Sequence, residues 1–263
     1  MSEITAHDPG TFCWPELATT DQSAAKAFYT ALFGWTVEEH DMGAAGVYMV
    51  FKYNNREVAA SSGMQEQQRA QGIPPHWLSY ISVANADDAA AKAKALGGHE
   101  VMKPVDVMDL GRMAILQDPT GAAFALWQAK DQIGIRAAGD PNTLVWTELL
   151  TPSAETARNF YSKLFDWDIR LRPTKWSPVP YTNFMRGGTQ AGGMMQITPE
   201  MGNTRPQWLP YFRTSDTDAT TAKAEQLGGT VIVSPSDVPD ITRFAILHDP
   251  TGAMFGILSI ALR

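Results

Sequence analysis

Apolar and polar positions along the first third of the chain change period in a fixed order. Residues 11–17 read as a strand that otherwise looks buried. Asp21 then stands where a helix N-cap belongs, ahead of Ala24, Ala27, Phe28 and Ala31 at the i, i+3, i+4, i+7 spacing of a helix face. Strand-like segments follow at 35–39, 47–53 and 57–64. The order then restarts, with a strand at 77–83, a helix over 87–96 stopped by Gly97 and Gly98, and strands near Glu100, at 112–116 and at 123–127. A βαβββ unit is thus predicted twice in succession.

The second half repeats the first. FYTALFGW at Phe28 returns as FYSKLFDW at Phe160, LGG at Leu96 returns at Leu227, and DPTGA at Asp118 returns at Asp249. In the second copy Ala157, Phe160, Tyr161 and Leu164 repeat the helical spacing. The period, about 130 residues, is too long for a solenoid and suits two homologous domains. We therefore expect an α+β protein of four βαβββ modules: a first domain over 8–130, a linker over 131–141 and a second domain over 142–263. Asp, Pro and Gly in DPTG suit the i, i+1 and i+3 positions of a type I turn, so both copies should be hairpin corners. The FY..LF.W pattern predicts helix-to-strand packing through Phe28, Leu32 and Trp35.

Composition narrows the function classes. With 44% hydrophobic residues in 263, the chain can bury a large core. A formal net charge of -7 without a clustered Lys/Arg stripe argues against nucleic acid as a partner. Cys13 is the only cysteine, so neither an intramolecular disulfide nor a cysteine-based zinc site is expected, in keeping with a cytoplasmic protein. No stretch has the length and hydropathy of a membrane span, and MSEITAHDPG lacks the basic and apolar regions of a signal peptide. No glycine-rich phosphate loop and no nucleophile elbow occurs.

The run TTDQSAAKAFYTALFGW, followed by a strand, a helix ending in LGG and a hairpin with DPTGAAFALWQ, resembles the vicinal oxygen chelate superfamily of glyoxalase I, bleomycin-resistance proteins and extradiol dioxygenases. The resemblance covers both halves and is similar to tandem-domain, glyoxalase-like members. It implies sheets curled into half-open barrels around a small-molecule cavity. It also implies a divalent metal held by His or Glu on the first and last strands of the modules. The positions that match are Trp14, 59–61, Leu78 and Ala125 in the first domain, and Trp146, about Ala191, Leu209 and Gly256 in the second. None supplies a metal ligand, so no cofactor is expected unless Glu16, His76 and Glu57 form an unusual site.

A tryptophan and a glutamate nevertheless recur two residues apart, as Trp14 and Glu16 and as Trp146 and Glu148. Strand parity turns each pair to one face, and by the resemblance that face is the cavity. A buried carboxylate needs partners. Arg112 and Arg243 on later strands are candidates for an ion pair; alternatively, Glu16 and Glu148 are polar anchors or general bases in an aromatic pocket. His76, Tyr48, Trp77, Tyr181 and Trp208 are further candidate cavity residues. Three functions stay open: a metal-free protein that binds or transforms a small molecule; a metal-dependent lyase, isomerase or dioxygenase with unusual ligands; and an assembly protein whose eight tryptophans include exposed anchors. Two fused domains suit an intramolecular pseudo-dimer, and a homodimer is also open.

Overall fold

A computed structural model of the chain describes residues 3–174, 177–239 and 241–260. The first half forms β1 (Phe12–Thr19), α1 (Gln22–Phe33), β2 (Thr36–Asp41), β3 (Val47–Tyr53), β4 (Arg56–Gly63), the short α2 (Glu66–Ala70), β5 (His76–Ser82), α3 (Ala86–Ala95), β6 (His99–Val107), β7 (Gly111–Gln117) and β8 (Ala123–Ala129). Its strands make one eight-stranded mixed sheet in the order β2-β3-β4-β1-β5-β8-β7-β6. The second half gives β9 (Leu144–Thr151), α4 (Ala154–Phe165), β10 (Asp168–Arg172), β11 (Tyr181–Arg186), β12 (Thr189–Gln196), β13 (Gln207–Arg213), α5 (Thr217–Gln226), β14 (Thr230–Val238), β15 (Thr242–His248) and β16 (Met254–Ile260). Their sheet repeats the order, β10-β11-β12-β9-β13-β16-β15-β14. The architecture is α+β, with four βαβββ modules in two domains. No helix among the described residues is long and apolar enough to cross a membrane.

In each sheet the two modules meet at their first strands. β1 pairs antiparallel with β5, and each is flanked by the last strand of its own module in parallel, β4 beside β1 and β8 beside β5. One sheet face carries the helices, and the other is left for a cavity.

The helices are held across the domain boundary. Asp21 caps α1 by accepting from the Ala24 amide, and the helix stops at Gly34 in the left-handed region, at φ 69°. Its buried stripe is Ala25, Phe28, Tyr29, Leu32 and Phe33, whereas Ala27 and Ala31 are exposed. The predicted period is right and the alanines are out of phase, because the rings, which have far more area to bury, set the face. That face packs on the other domain's sheet: Phe28 meets Phe255 with ring centroids 6.0 Å apart, and Phe33 meets Phe212 at 5.4 Å. Reciprocally, Phe160 and Tyr161 of α4 pack on Phe124 of β8 at 6.0 and 5.6 Å.

The two repeated motifs touch one another here. Tyr29 Oη donates to Asp249 Oδ2 at 3.0 Å and accepts from Trp77 Nε1 at 3.1 Å. Tyr161 likewise accepts from Trp208 Nε1 at 2.8 Å and faces Asp118. Both DPTG segments are turns, with Gly121 N donating to Asp118 O at 3.0 Å and Gly252 N to Asp249 O at 2.9 Å. Each is also an anchor for the other domain's helix. Trp77 and Trp208, expected to line a cavity, therefore sit in the core behind the sheets. None of the seven described tryptophans is exposed, and Trp176 lies outside the described residues. The exposed tryptophan anchors expected of an assembly protein are not found among them.

The segment between the domains is strapped to the first sheet. Ile135 N donates to Cys13 O and Arg136 N to Glu57 O, both at 2.8 Å. Gly134 has φ 114°, and a Cβ there would lie 2.3 Å from the Cys13 carbonyl oxygen. Only glycine lets the strap lie this close.

Candidate functional site

Strand parity turns Trp14 and Glu16 to the face opposite the helices, and the register puts Leu78 across from Glu16, Tyr80 across from Trp14 and His76 across from Ala18. On the other side Ala60 lies beside Glu16, and Ser62 pairs with Tyr48 of β3. The sheet curves, so hydroxyls from three strands converge on one carboxylate. Ser62 Oγ donates to Glu16 Oε1 at 2.8 Å; Tyr48 Oη and Tyr80 Oη donate to Oε2 at 3.1 and 2.9 Å. Trp14 Nε1 in turn donates to Tyr48 Oη at 3.1 Å.

The second domain repeats the chain of bonds with a different outcome. Trp146 Nε1 donates to Tyr181 Oη at 3.1 Å, Tyr181 Oη donates to Glu148 Oε1 at 2.7 Å, and Tyr211 Oη donates to Oε2 at 3.0 Å. The strand neighbours of this network are glycines, Gly193 beside Glu148 and Gly256 beside Tyr211, where the first domain has Ala60 and Ala125. A Cβ at Gly193 would lie 1.9 Å from Tyr181 Oη, and one at Gly256 would lie 2.2 Å from the Tyr211 ring. Both tyrosines thus lie flat on the sheet and cover Glu148, which is 8% exposed. Arg172 lies over Tyr181, its guanidinium 5.2 Å from the ring centroid. In the first domain Glu16, Tyr48 and Ile115 are half-buried, whereas their counterparts Glu148, Tyr181 and Ile246 are buried. The face around Glu16 is thus the more accessible of the two, and the face around Glu148 is covered by its own side chains.

Electrostatics follow from burial. Desolvation raises the Glu16 pKa above its ordinary value, opposed by the bonds from Ser62, Tyr80 and Tyr48 and, when its ring is protonated, by His76. Glu148 is raised by the same cause, opposed by Tyr181, Tyr211 and Arg172. Burial and the adjacent carboxylates hold Tyr48, Tyr80, Tyr181 and Tyr211 well above the usual phenol range. Those hydroxyls stay protonated near neutral pH and serve as donors.

Comparison with known proteins identifies the scaffold. Residues 11–126 and 143–257 match the family model described as "Glyoxalase/Bleomycin resistance protein/Dioxygenase superfamily". The chain belongs to this superfamily. Among its relatives, CFP32 of Mycobacterium tuberculosis, a glyoxylase by name, is 39% identical over 99% of both chains. DnrV of Streptomyces peucetius, an anthracycline biosynthesis protein by name, is 34% identical over 98% of this chain and 96% of its own. Solved structures that share the fold include the Mn(II)-bound glyoxalase of Novosphingobium aromaticivorans, with a TM-score of 0.64 and 14% identity over 95% of this chain and 82% of that one. The 2,3-dioxygenase LapB of Pseudomonas sp. KL28 has a TM-score of 0.62 and 11% identity over 100% and 94%.

The superfamily's metal does not fit the residues at the centre of either sheet. Divalent ions of this chemistry take imidazole or carboxylate ligands. The register brings together Trp14, Ala60, Leu78 and Ala125 in one domain and Trp146, Gly193, Leu209 and Gly256 in the other. The expected position near Ala191 is thus Gly193. Neither set offers a ligating side chain. Glu57, one member of the unusual set, turns to the strap instead, accepting from Gln132 Nε2 at 3.1 Å and pairing with Arg136 Nε at 3.4 Å. Among the described residues no three His, Cys, Asp or Glu side chains gather as a metal site.

The candidate residues sort by sheet face. Trp14, Glu16 and Tyr48 come together, as do Trp146, Glu148 and Tyr181. His76 shares the Glu16 face nearer the mouth, with Nδ1 2.8 Å from Pro74 O. Arg112 and Arg243 do not reach the glutamates. Arg112 grips Asp87 and Asp106, with bonds of 2.7 to 3.1 Å, and Arg243 grips Asp218 and Asp237 in the same way. Asp87 and Asp218 lie in the first turns of α3 and α5, so both arginines point to the helix side. The partners that sequence reading missed are Ser62, Tyr80 and Tyr211. Tyr80 was within reach of it, because the parity that joins Trp14 to Glu16 also joins Tyr80 to Leu78.

Proposed function

We propose that the first domain binds a small, largely apolar molecule in its open cavity, with Glu16 as the polar anchor, and that it does so without the superfamily's metal. The observation that carries this reading is the Glu16 carboxylate itself: half-buried among aromatic side chains, held by Ser62, Tyr48 and Tyr80, and more exposed than its counterpart Glu148. Each carboxylate oxygen accepts about two hydrogen bonds. Oε2 takes two and Oε1 takes one, so Oε1 keeps an acceptor site for a ligand. A carboxylate with a raised pKa also suits a general base, and Glu16 is the group that would take a proton from the bound molecule in any turnover. Glu148, wrapped by its tyrosines, is assigned to the structure of its domain.

The relative named for anthracycline biosynthesis makes an anthracycline the first probe. Thermal unfolding of the metal-stripped protein should rise in temperature with the probe's concentration, as linkage requires. Glu16→Gln should weaken the effect and Glu148→Gln should leave it in place. Stabilisation that depends on added metal, or that Glu148→Gln removes and Glu16→Gln does not, would contradict the proposal.

A further inference from the structure

The hydrogen-bonding inventory of the first cavity is one-sided. Tyr48, Tyr80 and Ser62 each have one hydroxyl proton, and all three are spent on Glu16. The Trp14 indole N–H is spent on Tyr48. His76 Nδ1 faces the Pro74 carbonyl, an acceptor only, so Nδ1 carries the proton and Nε2 of the neutral ring is an acceptor. The wall formed by β6 and β7 adds apolar groups, with Met102 and Val105 pairing across to Ile115 and Met113. Met102 and Val105 are 42% and 44% exposed, an uncovered wall. What these residues have left to offer is acceptors on an apolar, ring-lined surface.

The charges agree. On the opposite wall Glu38, His40 and Lys52 share the Tyr48 face by register. Lys52 is bonded to Glu38, and His40 Nε2 lies 3.4 Å from the same carboxylate. Lys52 on this wall is thus already paired, and Glu16 is the carboxylate at the centre of the sheet. At the matching wall of the second domain stand Arg170 and Arg172.

Resting on the proposed binding site, we infer that the first-domain cavity selects an apolar, ring-bearing molecule that presents a hydrogen-bond donor, as a neutral hydroxyl or a protonated amine, and turns carboxylates away. A hydroxyl or ammonium can close on Glu16 Oε1. A ligand carboxylate would meet Glu16 with its described donors, Ser62, Tyr48 and Tyr80, already spent.

Four 2-substituted naphthalenes of matched size test this at neutral pH: 2-naphthol, 2-(aminomethyl)naphthalene, 2-methoxynaphthalene and 2-naphthoate. Binding is read from the Trp14 indole N–H resonance, assigned with Trp14→Phe. The naphthol and the amine should bind at least about tenfold more tightly than the ether and the carboxylate, the size of one good hydrogen bond to a charged group. In Glu16→Gln the amine should lose its advantage and the carboxylate should gain relative to the naphthol. Equal binding by all four at Trp14, or preference for 2-naphthoate, overturns this inference and leaves the binding site standing. No shift at Trp14 and no thermal stabilisation by any of them at millimolar concentration overturns the binding site and the inference with it.

Discussion

Replacing Gly193 by alanine gives the second domain the residue that the first has at Ala60, and tests why one cavity is filled. The added Cβ would lie 1.9 Å from Tyr181 Oη and 2.7 Å from Trp146 Cζ2. Non-bonded carbon contacts settle near 3.5 Å, so the hydroxyl must retreat by roughly 1.5 Å. The 2.7 Å bond to Glu148 and the 3.1 Å bond from Trp146 cannot survive that movement. A hydrogen bond to a charged group contributes about 1.5–3 kcal/mol. Overpacking a tight site costs about 1–3 kcal/mol more, and replacing a strand glycine returns about 0.5–1 kcal/mol. The net expectation is a loss of about 3 kcal/mol. Urea unfolding followed by tryptophan fluorescence and circular dichroism measures it, with coincident transitions as the check on two-state behaviour. Tyr181→Phe removes the same bond, so the two substitutions together should cost at least about 1 kcal/mol less than their sum. A Gly193→Ala protein within about 0.5 kcal/mol of the parent at unchanged m-value, or strict additivity with Tyr181→Phe, would refute the seating of Tyr181 on Gly193.

Other expectations follow from the same geometry. Tyr29→Phe removes the hydroxyl between Trp77 and buried Asp249 and should cost about 2–4 kcal/mol in urea unfolding; a loss under about 0.5 kcal/mol would show that this contact does not hold the domains together. The raised pKa of Glu16 sets a pH trend. The unfolded chain ionises first, near the ordinary 4.5, so stability relative to Glu16→Gln should be greatest below that pH and fall as pH rises through the folded-state value. Melting temperatures of both proteins between pH 4 and 8 check the sign, and a relative gain with rising pH would reverse it. Arg112→Gln should leave probe binding at the Trp14 resonance unchanged, because its guanidinium faces Asp87 and Asp106. Elemental analysis after dialysis should find no stoichiometric metal; a full equivalent lost on His76→Ala would restore a metal mechanism.

Much of this was legible in the sequence because it is local. The modules follow from changes of period, the two domains from the repeat, and the facing of Trp14 with Glu16 from strand parity. Where the expectations failed, parity had been set aside or register was needed. Trp77 is one residue from both His76 and Leu78, so strict alternation already puts it on the helix side, with Trp208 beside it in kind. Arg112 fails for another reason. Its sign suits Glu16, whereas the register sets it beside Asp106, and α3 brings Asp87 over it. Gly256 stands out in the sequence only as a residue that cannot ligate a metal, and Gly193 takes its place beside Glu148 only once the register is known. Their effect on Tyr181 and Tyr211 depends on contacts across strands that no local pattern encodes.

The division of the sheets into two faces explains how similar repeats can carry unlike sites. The motifs that reveal the repeat, FY and DPTG, serve the helix side, where Tyr29 reaches Asp249 and Tyr161 faces Asp118. Those contacts are reciprocal, so a change in one copy's motif disturbs both domains. Among the described residues the hydrogen bonds around Glu16 and Glu148 each stay within one domain. An alanine or a glycine beside the central glutamate changes how a tyrosine lies on its own sheet without touching the interface behind it. The closed domain still supports the open one: Trp77 backs the sheet that carries Glu16, and its indole is held by Tyr29, which the second domain's Asp249 fixes in turn. A first domain alone would expose the aromatic face of α1 and lose that bond, so the open cavity depends on both halves of the chain.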